Sequence, residues 1–155
     1  MGLDGFPTRV NFVWLINKAG QLMYSRDFAN PGGRAIGENE KITWASALHG
    51  LLALSKELSP VQDCGPAEVI ETSEFTLHCY STLTELRIVV STHPQVSKVY
   101  VEGLMVELYT AYTDYVLKNP FYTVDQNGYG QTITHHMKLF HAATGTAVMN
   151  LNRKA

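Results

Sequence analysis

The sequence predicts an α+β fold in which helices pack on an antiparallel sheet. Two observations lead there. Short β-branched or alternating runs are separated by turn residues, and longer runs carry apolar residues at helical spacing. These runs come in blocks rather than in alternation: strand, strand, helix, then three strands, then two helices. The 155 residues suit one domain, 1–155, with its core over about 9–143.

Val10 to Asn17 reads VNFVWLIN, which is β-branched, aromatic and apolar at consecutive positions. That is the pattern of a strand buried on both faces. Asn17-Lys18-Ala19-Gly20 is a turn, and Gln21 to Phe28 returns as the second strand of a hairpin. Asn30 to Gly37 is a loop rich in Gly and Pro. A helix starts at Glu38, where Glu38 and Glu40 suit the positive end of its dipole. Ile42, Ala45, Leu48, Leu52 and Ser55 lie along one line at spacings of three and four, while Trp44, Leu51, Leu54 and Leu58 lie off that line. A helix apolar on more than one side is buried on more than one side. One side serves the sheet, and the other asks for a protein partner.

Ser59-Pro60 ends this helix. Ala67 to Thr72 is a short strand. Glu74 to Tyr80 alternates, with Phe75, Leu77 and Cys79 opposite Thr76, His78 and Tyr80. After a turn at Ser81 to Thr84, Leu86 to Ser91 completes a meander. A second helix spans about Ser97 to Lys118, with Leu104, Leu108, Ala111 and Tyr115 on one face and Met105, Tyr109, Tyr112 and Val116 widening it. Asn119-Pro120 stops it. A turn over Asp125 to Gly130 leads to a third helix over Gln131 to Ala143, and a weakly ordered tail is expected after Gly145.

Composition excludes several function classes. Net charge is −2 with no Lys/Arg cluster, so no nucleic-acid partner is expected. Cys64 and Cys79 form no Cys-x-x-Cys pair and read as reduced thiols. No signal peptide, myristoylation pattern or membrane-spanning run of about 20 apolar residues is seen, so a cytoplasmic chain is expected. No Gly-x-Ser-x-Gly elbow exists, Gly32-Gly33-Arg34 lacks the Lys-Ser/Thr of a phosphate loop, and Gly128-Tyr129-Gly130 lacks a third glycine. His135, His136 and His141 miss the i, i+4 spacing of a helical metal pair. His78 and Cys79 are neighbours in a strand and point to opposite faces, so they form no nucleophile–base pair. His49 reads as a packed, hydrogen-bonded histidine. The expectation is a non-enzyme with no cofactor and no metal. The enzyme alternative is a small metal-dependent hydrolase using the histidines near the C-terminal end.

Four ordered motifs between Val13 and Tyr122 carry a family resemblance. They are Val13 to Tyr24 with its NKAG turn, His49 to Pro60 ending in LSP, Glu71 to Thr84 with LHCY and TLT, and Leu117 to Tyr122, LKNPFY. Together they resemble the synbindin branch of the small TRAPP subunits. The fold implied is longin-like: a five-stranded antiparallel sheet with one helix on one face and two on the other. Some members carry a large insertion between the second strand and the first helix, where this chain has only Ala29 to Gly37. The role implied is a subunit that pairs with other longin-like and non-longin TRAPP-type subunits. The assembly, not the subunit, acts as nucleotide-exchange factor for a Rab-family GTPase in ER-to-Golgi transport, peripherally associated with those membranes. The apolar pattern of the first helix makes Trp44, Leu48, Leu51 and Leu54 the expected subunit interface. A small adaptor-complex chain is the neighbouring longin-like alternative.

Overall fold

The structure, a computed structural model, describes residues 9–28, 36–119 and 138–154. Strands β1 (Val10–Ile16) and β2 (Leu22–Asp27) form a hairpin, and helix α1 (Glu38–Glu57) follows. Strands β3 (Val69–Glu71), β4 (Thr76–Ser81) and β5 (Arg87–Thr92) make the meander. Helices α2 (Lys98–Tyr112) and α3 (Lys138–Lys154) complete the order. All neighbouring strands are antiparallel, in the order β2-β1-β5-β4-β3. α1 covers one face over Trp14, Ile16, Leu22, Cys79 and Val89. α2 and α3 cover the other over Val13, Leu15, Tyr24, Ile88 and Val90. This is the longin-like arrangement that the resemblance implied.

The turns explain several motif residues. In the first hairpin the Asn17 side-chain oxygen accepts the backbone N–H groups of Ala19 and Gln21, at 3.0 and 2.9 Å. Gly20 sits at φ +83°, a left-handed conformation that a side chain resists. In the β3–β4 connection the Thr72 hydroxyl accepts the N–H of Phe75 at 3.0 Å and donates to its carbonyl at 2.7 Å. Between β4 and β5 the Thr82 hydroxyl accepts the N–H of Leu86 at 3.1 Å. Asn and Thr recur in these motifs because their short side chains replace backbone hydrogen bonds that a tight turn leaves open.

Three expectations need correction. The core line of α1 contains Lys41, not Ile42; Ile42 is exposed. Lys41, Ala45, Leu48 and Leu52 are the buried positions. They stand at helical spacing, and the long stem of a lysine can lie along apolar surface with its charge at the rim.

The second correction concerns the end of α2, where residues Thr113–Leu117 form a π-helical turn. A π turn takes one residue more than an α turn. The buried line therefore passes from Ala111 and Tyr112 to Val116, and Tyr115 is turned outward.

The third concerns the C-terminal segment. The chain after Gly145, expected to be weakly ordered, is helical to Lys154. Ala147, Val148 and Leu151 are buried in the same cluster as α2, and Gly145 lets the Arg26 guanidinium approach. The spacing from Phe140 through Thr144 and Val148 to Leu151 is that of one helix face. Residues 131–137 of the expected third helix, and the turn over 125–130, lie outside the described residues.

Leu151→Ala is therefore expected to lower stability by about 2–5 kcal/mol, the cost of a core truncation. A thermal or urea unfolding curve indistinguishable from the wild type would show that the C-terminal turn of α3 is not part of the core.

Candidate interaction surfaces

Helix α1 is held on the sheet by contacts along its whole length. At its start the Lys41 ammonium lies 2.7 Å from an Asp27 carboxylate oxygen and 3.3 Å from one of Glu38. Burial pulls the Lys41 pKa down, but Asp27 and Glu38 outweigh it and hold it above the ordinary lysine value. In the middle, the Ser46 hydroxyl donates to the Gly20 carbonyl at 3.3 Å. His49 accepts at Nδ1 and at its carbonyl from the Arg87 guanidinium, at 3.1 and 3.2 Å. A Cβ on Gly20 would stand 3.0 Å from the His49 ring. At its end the Ser55 hydroxyl accepts the Ala67 N–H at 2.9 Å, which ties the helix to the chain entering β3.

This seating separates the four expected interface residues. Leu48 is 9% exposed and packs in the chain's own core beneath the helix. The interface expectation for Leu48 is corrected accordingly: it shares the phase of Ala45 and Leu52, which points to the sheet. Trp44, Leu51 and Leu54 are 40%, 50% and 52% exposed. With Ala47 and Leu58 they form a stripe spaced 3, 4, 3 and 4 residues apart, about 100° around the helix from the core line. Leu58 and the nearby Val61 are more exposed still. The sequence contained the signal for Leu58, since it continues the Trp44–Leu51 spacing of seven. What the spacing left open was which of two apolar lines faces inward.

The candidate chemical groups are placed as structural parts. Cys79 lies under α1 and His78 lines the opposite face of β4, as their adjacency in a strand requires. Burial pushes the Cys79 thiol up to about 11, which keeps it protonated near neutral pH. His141 takes a hydrogen bond with the Tyr24 hydroxyl at 2.8 Å, and its carbonyl accepts from Arg26 at 2.6 Å. Among the described residues no group of three or more histidines, cysteines and carboxylates could hold a metal ion. His135 and His136 lie outside the described residues, as do Gly32 to Arg34 and Gly128 to Gly130. Among the described residues no helix is long and apolar enough to cross a membrane.

Comparison with known proteins places these surfaces in a family context. The Sybindin-like family matches residues 10–144. "Trafficking protein particle complex subunit 4" of Dictyostelium discoideum is 39% identical over 117 residues, 75% of this chain and 84% of that protein. The human protein of the same name is 41% identical over 87 residues, 56% of this chain but only 39% of its own length. Among solved structures, Myxococcus xanthus MglB aligns at a TM-score of 0.48 and 19% identity, covering 60% of this chain and 72% of that one.

Two imidazoles make the domain sensitive to acid. Burial, followed by the charge of Lys98, lowers the His78 pKa from 6.5, with Glu71 opposing. Burial, followed by Arg87, lowers that of His49, with Glu85 opposing. A histidine whose pKa is lower folded than unfolded gives stability that is present above the unfolded value and lost as pH falls toward the folded one. The unfolding midpoint is therefore expected to drop as pH falls below about 6.5. The drop should be smaller in His78→Gln and smaller again in the double variant with His49→Gln. Denaturation curves at several pH values would test this, and an equal acid slope in all three proteins would refute it.

Proposed function

The chain belongs to the Sybindin-like family, and on that premise we propose that it is a non-catalytic subunit of a TRAPP-type vesicle-tethering complex. It works through protein–protein interfaces. The names of its relatives support the complex, and the exposed stripe of α1 supports the mode of action. In this reading Trp44, Leu51, Leu54 and Leu58 pack on a neighbouring subunit. Contiguous apolar surface on a helix flank is the form such interfaces take. Tryptophan is among the residues that concentrate binding energy at the centre of such interfaces.

The remainder of the proposal concerns the assembly. It stimulates nucleotide exchange on a Rab-family GTPase, serves ER-to-Golgi transport, and meets those membranes peripherally from the cytoplasm. Exchange is assigned to the whole complex, in which this chain holds its neighbours in place.

The carrying observation is the outward position of Trp44 on a helix whose core line is already filled. Trp44→Asp is expected to leave the circular dichroism spectrum unchanged and to shift stability by about 1 kcal/mol or less, as a surface substitution does. The tagged wild-type chain, purified from its own cells, should bring down other TRAPP-type subunits, and Trp44→Asp should lose at least one of them. Loss of the fold would place Trp44 in the core and remove the interface. Recovery of adaptor-type chains in place of TRAPP-type subunits would overturn the choice of complex.

A further inference from the structure

The two edges of the sheet differ. β3 has three residues, while β2 has six and carries neither proline nor lysine. Short strands, prolines and lysines are common protections of an edge. β2 ends the strand order, so within the sheet only its β1 side is paired. The Phe28 N–H donates to the Asn11 carbonyl at 2.9 Å, which fixes where the other backbone groups point. Hydrogen-bonded pairs alternate along an antiparallel ladder, so Arg26 bonds to Val13 and Tyr24 to Leu15. The N–H and C=O groups of Ser25 and Asp27 point to the other side, where they have no backbone partner among the described residues.

The two faces beside this edge carry different charge. Ser25 and Asp27 pair with Trp14 and Phe12 and share their α1 face. There the Asp27 carboxylate is taken by Lys41 at 2.7 Å, and the exposed Ile42 follows Lys41 in the helix. One turn after Ile42, Ser46 reaches the Gly20 carbonyl at 3.3 Å, so this flank of α1 runs along the hairpin. On the α3 face the half-buried Arg26 guanidinium lies 5.1 Å from the centroid of the Phe28 ring. It donates through Nη1 to the His141 carbonyl at 2.6 Å. No carboxylate of the described residues stands within ion-pair reach of it. A guanidinium held in this way keeps further N–H donors in a planar fork that fits a carboxylate.

We infer that the open edge of β2 receives an extended acidic segment of another protein, added antiparallel as one more strand. A row of outward N–H and C=O groups is met by a backbone in strand form. Successive residues of the guest then alternate between the two faces. Those paired with Ser25 and Asp27 lie on the α1 face beside Ile42 and are apolar, because a carboxylate there would meet Asp27 and Glu38. The residue across from Arg26 lies on the α3 face and is Asp or Glu. A second copy of β2 fits less well, since LMYSRD brings Tyr24 and another Arg26 to that face and no carboxylate. The edge uses none of Trp44, Leu51, Leu54 and Leu58, so a segment bound there leaves the proposed subunit interface open.

The test uses the full chain and a synthetic peptide of about eight residues that alternates valine and glutamate. Amide hydrogen exchange and NMR titration are read near neutral pH. In the free chain the N–H groups of Ser25 and Asp27 should exchange about tenfold faster, or more, than those of Tyr24 and Arg26. Equal protection of all four would mean that the chain fills its own edge, and protection rising with protein concentration would mean that a second copy does; either result overturns the proposal. Saturating peptide should slow exchange at Ser25 and Asp27 and shift the signals of Ile42 and Arg26. Ser25→Pro removes an outward N–H that an edge strand can spare, so it should keep the dispersed spectrum and lose the peptide. Should that variant unfold, a peptide N-methylated at its valines carries the test, and binding as tight as that of the unmodified peptide would overturn the added strand. Arg26→Gln should weaken binding by about threefold. Trp44→Ala should leave it unchanged. No saturable change up to the solubility of the peptide would overturn the proposal, as would equal binding of a peptide that alternates valine and lysine.

Discussion

The burial of β1 on both faces is the constraint on which the rest of the fold depends. This strand lies between β2 and β5, so both of its edges are paired. Val13 and Leu15 point toward α2 and α3, and Trp14 and Ile16 point toward α1. With consecutive residues fully or nearly fully buried on alternate faces, neither face can be left to solvent. The helices are thus required on both sides. A one-residue slip of β1 against β5 would send every one of these side chains into the wrong layer.

The same strand fixes where α1 sits. The hairpin that begins at its end places Gly20 beneath the middle of the helix, at a distance that leaves no room for a side chain against His49. Arg87, at the start of β5, pairs with Ile16 of β1 across the sheet and reaches up to the same His49. A turn glycine, a helical histidine and a strand arginine therefore set one contact between helix and sheet. Lys41 with Asp27 sets a second near the other end of the helix. Two fixed points along a helix define its position and its rotation about its axis.

The strands and turns were legible in the sequence because their signals are local. A period of two, an Asn or Thr at a turn and a Gly where φ must be positive each depend on a few adjacent residues. The misjudged parts depend on neighbours distant in sequence. Ile42 shares a line with Ala45 and Leu48 in the sequence, but the phase of α1 is set by Gly20, Arg87 and Asp27, and the phase they set buries Lys41 instead. Leu48 likewise looked as free for a partner as Leu51 until that phase was known. Tyr115 looked inward because an α-helical count was continued through a π-helical turn. The last helix looked weak because its polar residues outnumber a narrow line of buried ones, and that line shows only against Tyr24 and α2. The contact between β4 and α2 was least legible of all. Tyr80 and Tyr109 are nearly thirty residues apart, and only the sheet brings their rings together.

The rotation of α1 bears most directly on function. The helix buries Lys41, Ala45, Leu48 and Leu52 and leaves Trp44, Leu51 and Leu54 in the open. A rotation of about 100° would bury Trp44, Leu51 and Leu54 but expose Ala45, Leu48 and Leu52, so the two leucine pairs cancel and burial favours it only through the greater size of Trp44 over Ala45. The turn of β1–β2 opposes it. Such a rotation would pull His49 off Gly20 and Arg87 and would draw the Lys41 ammonium away from Asp27, stranding charges that are now paired at short range. The polar contacts of α1 thus decide between two apolar lines of similar weight and leave the one with Trp44 outward. Under the proposed function, the outward stripe is the edge that α1 offers to a neighbouring subunit, and the contacts that fix the helix on the sheet also fix the direction in which that edge faces.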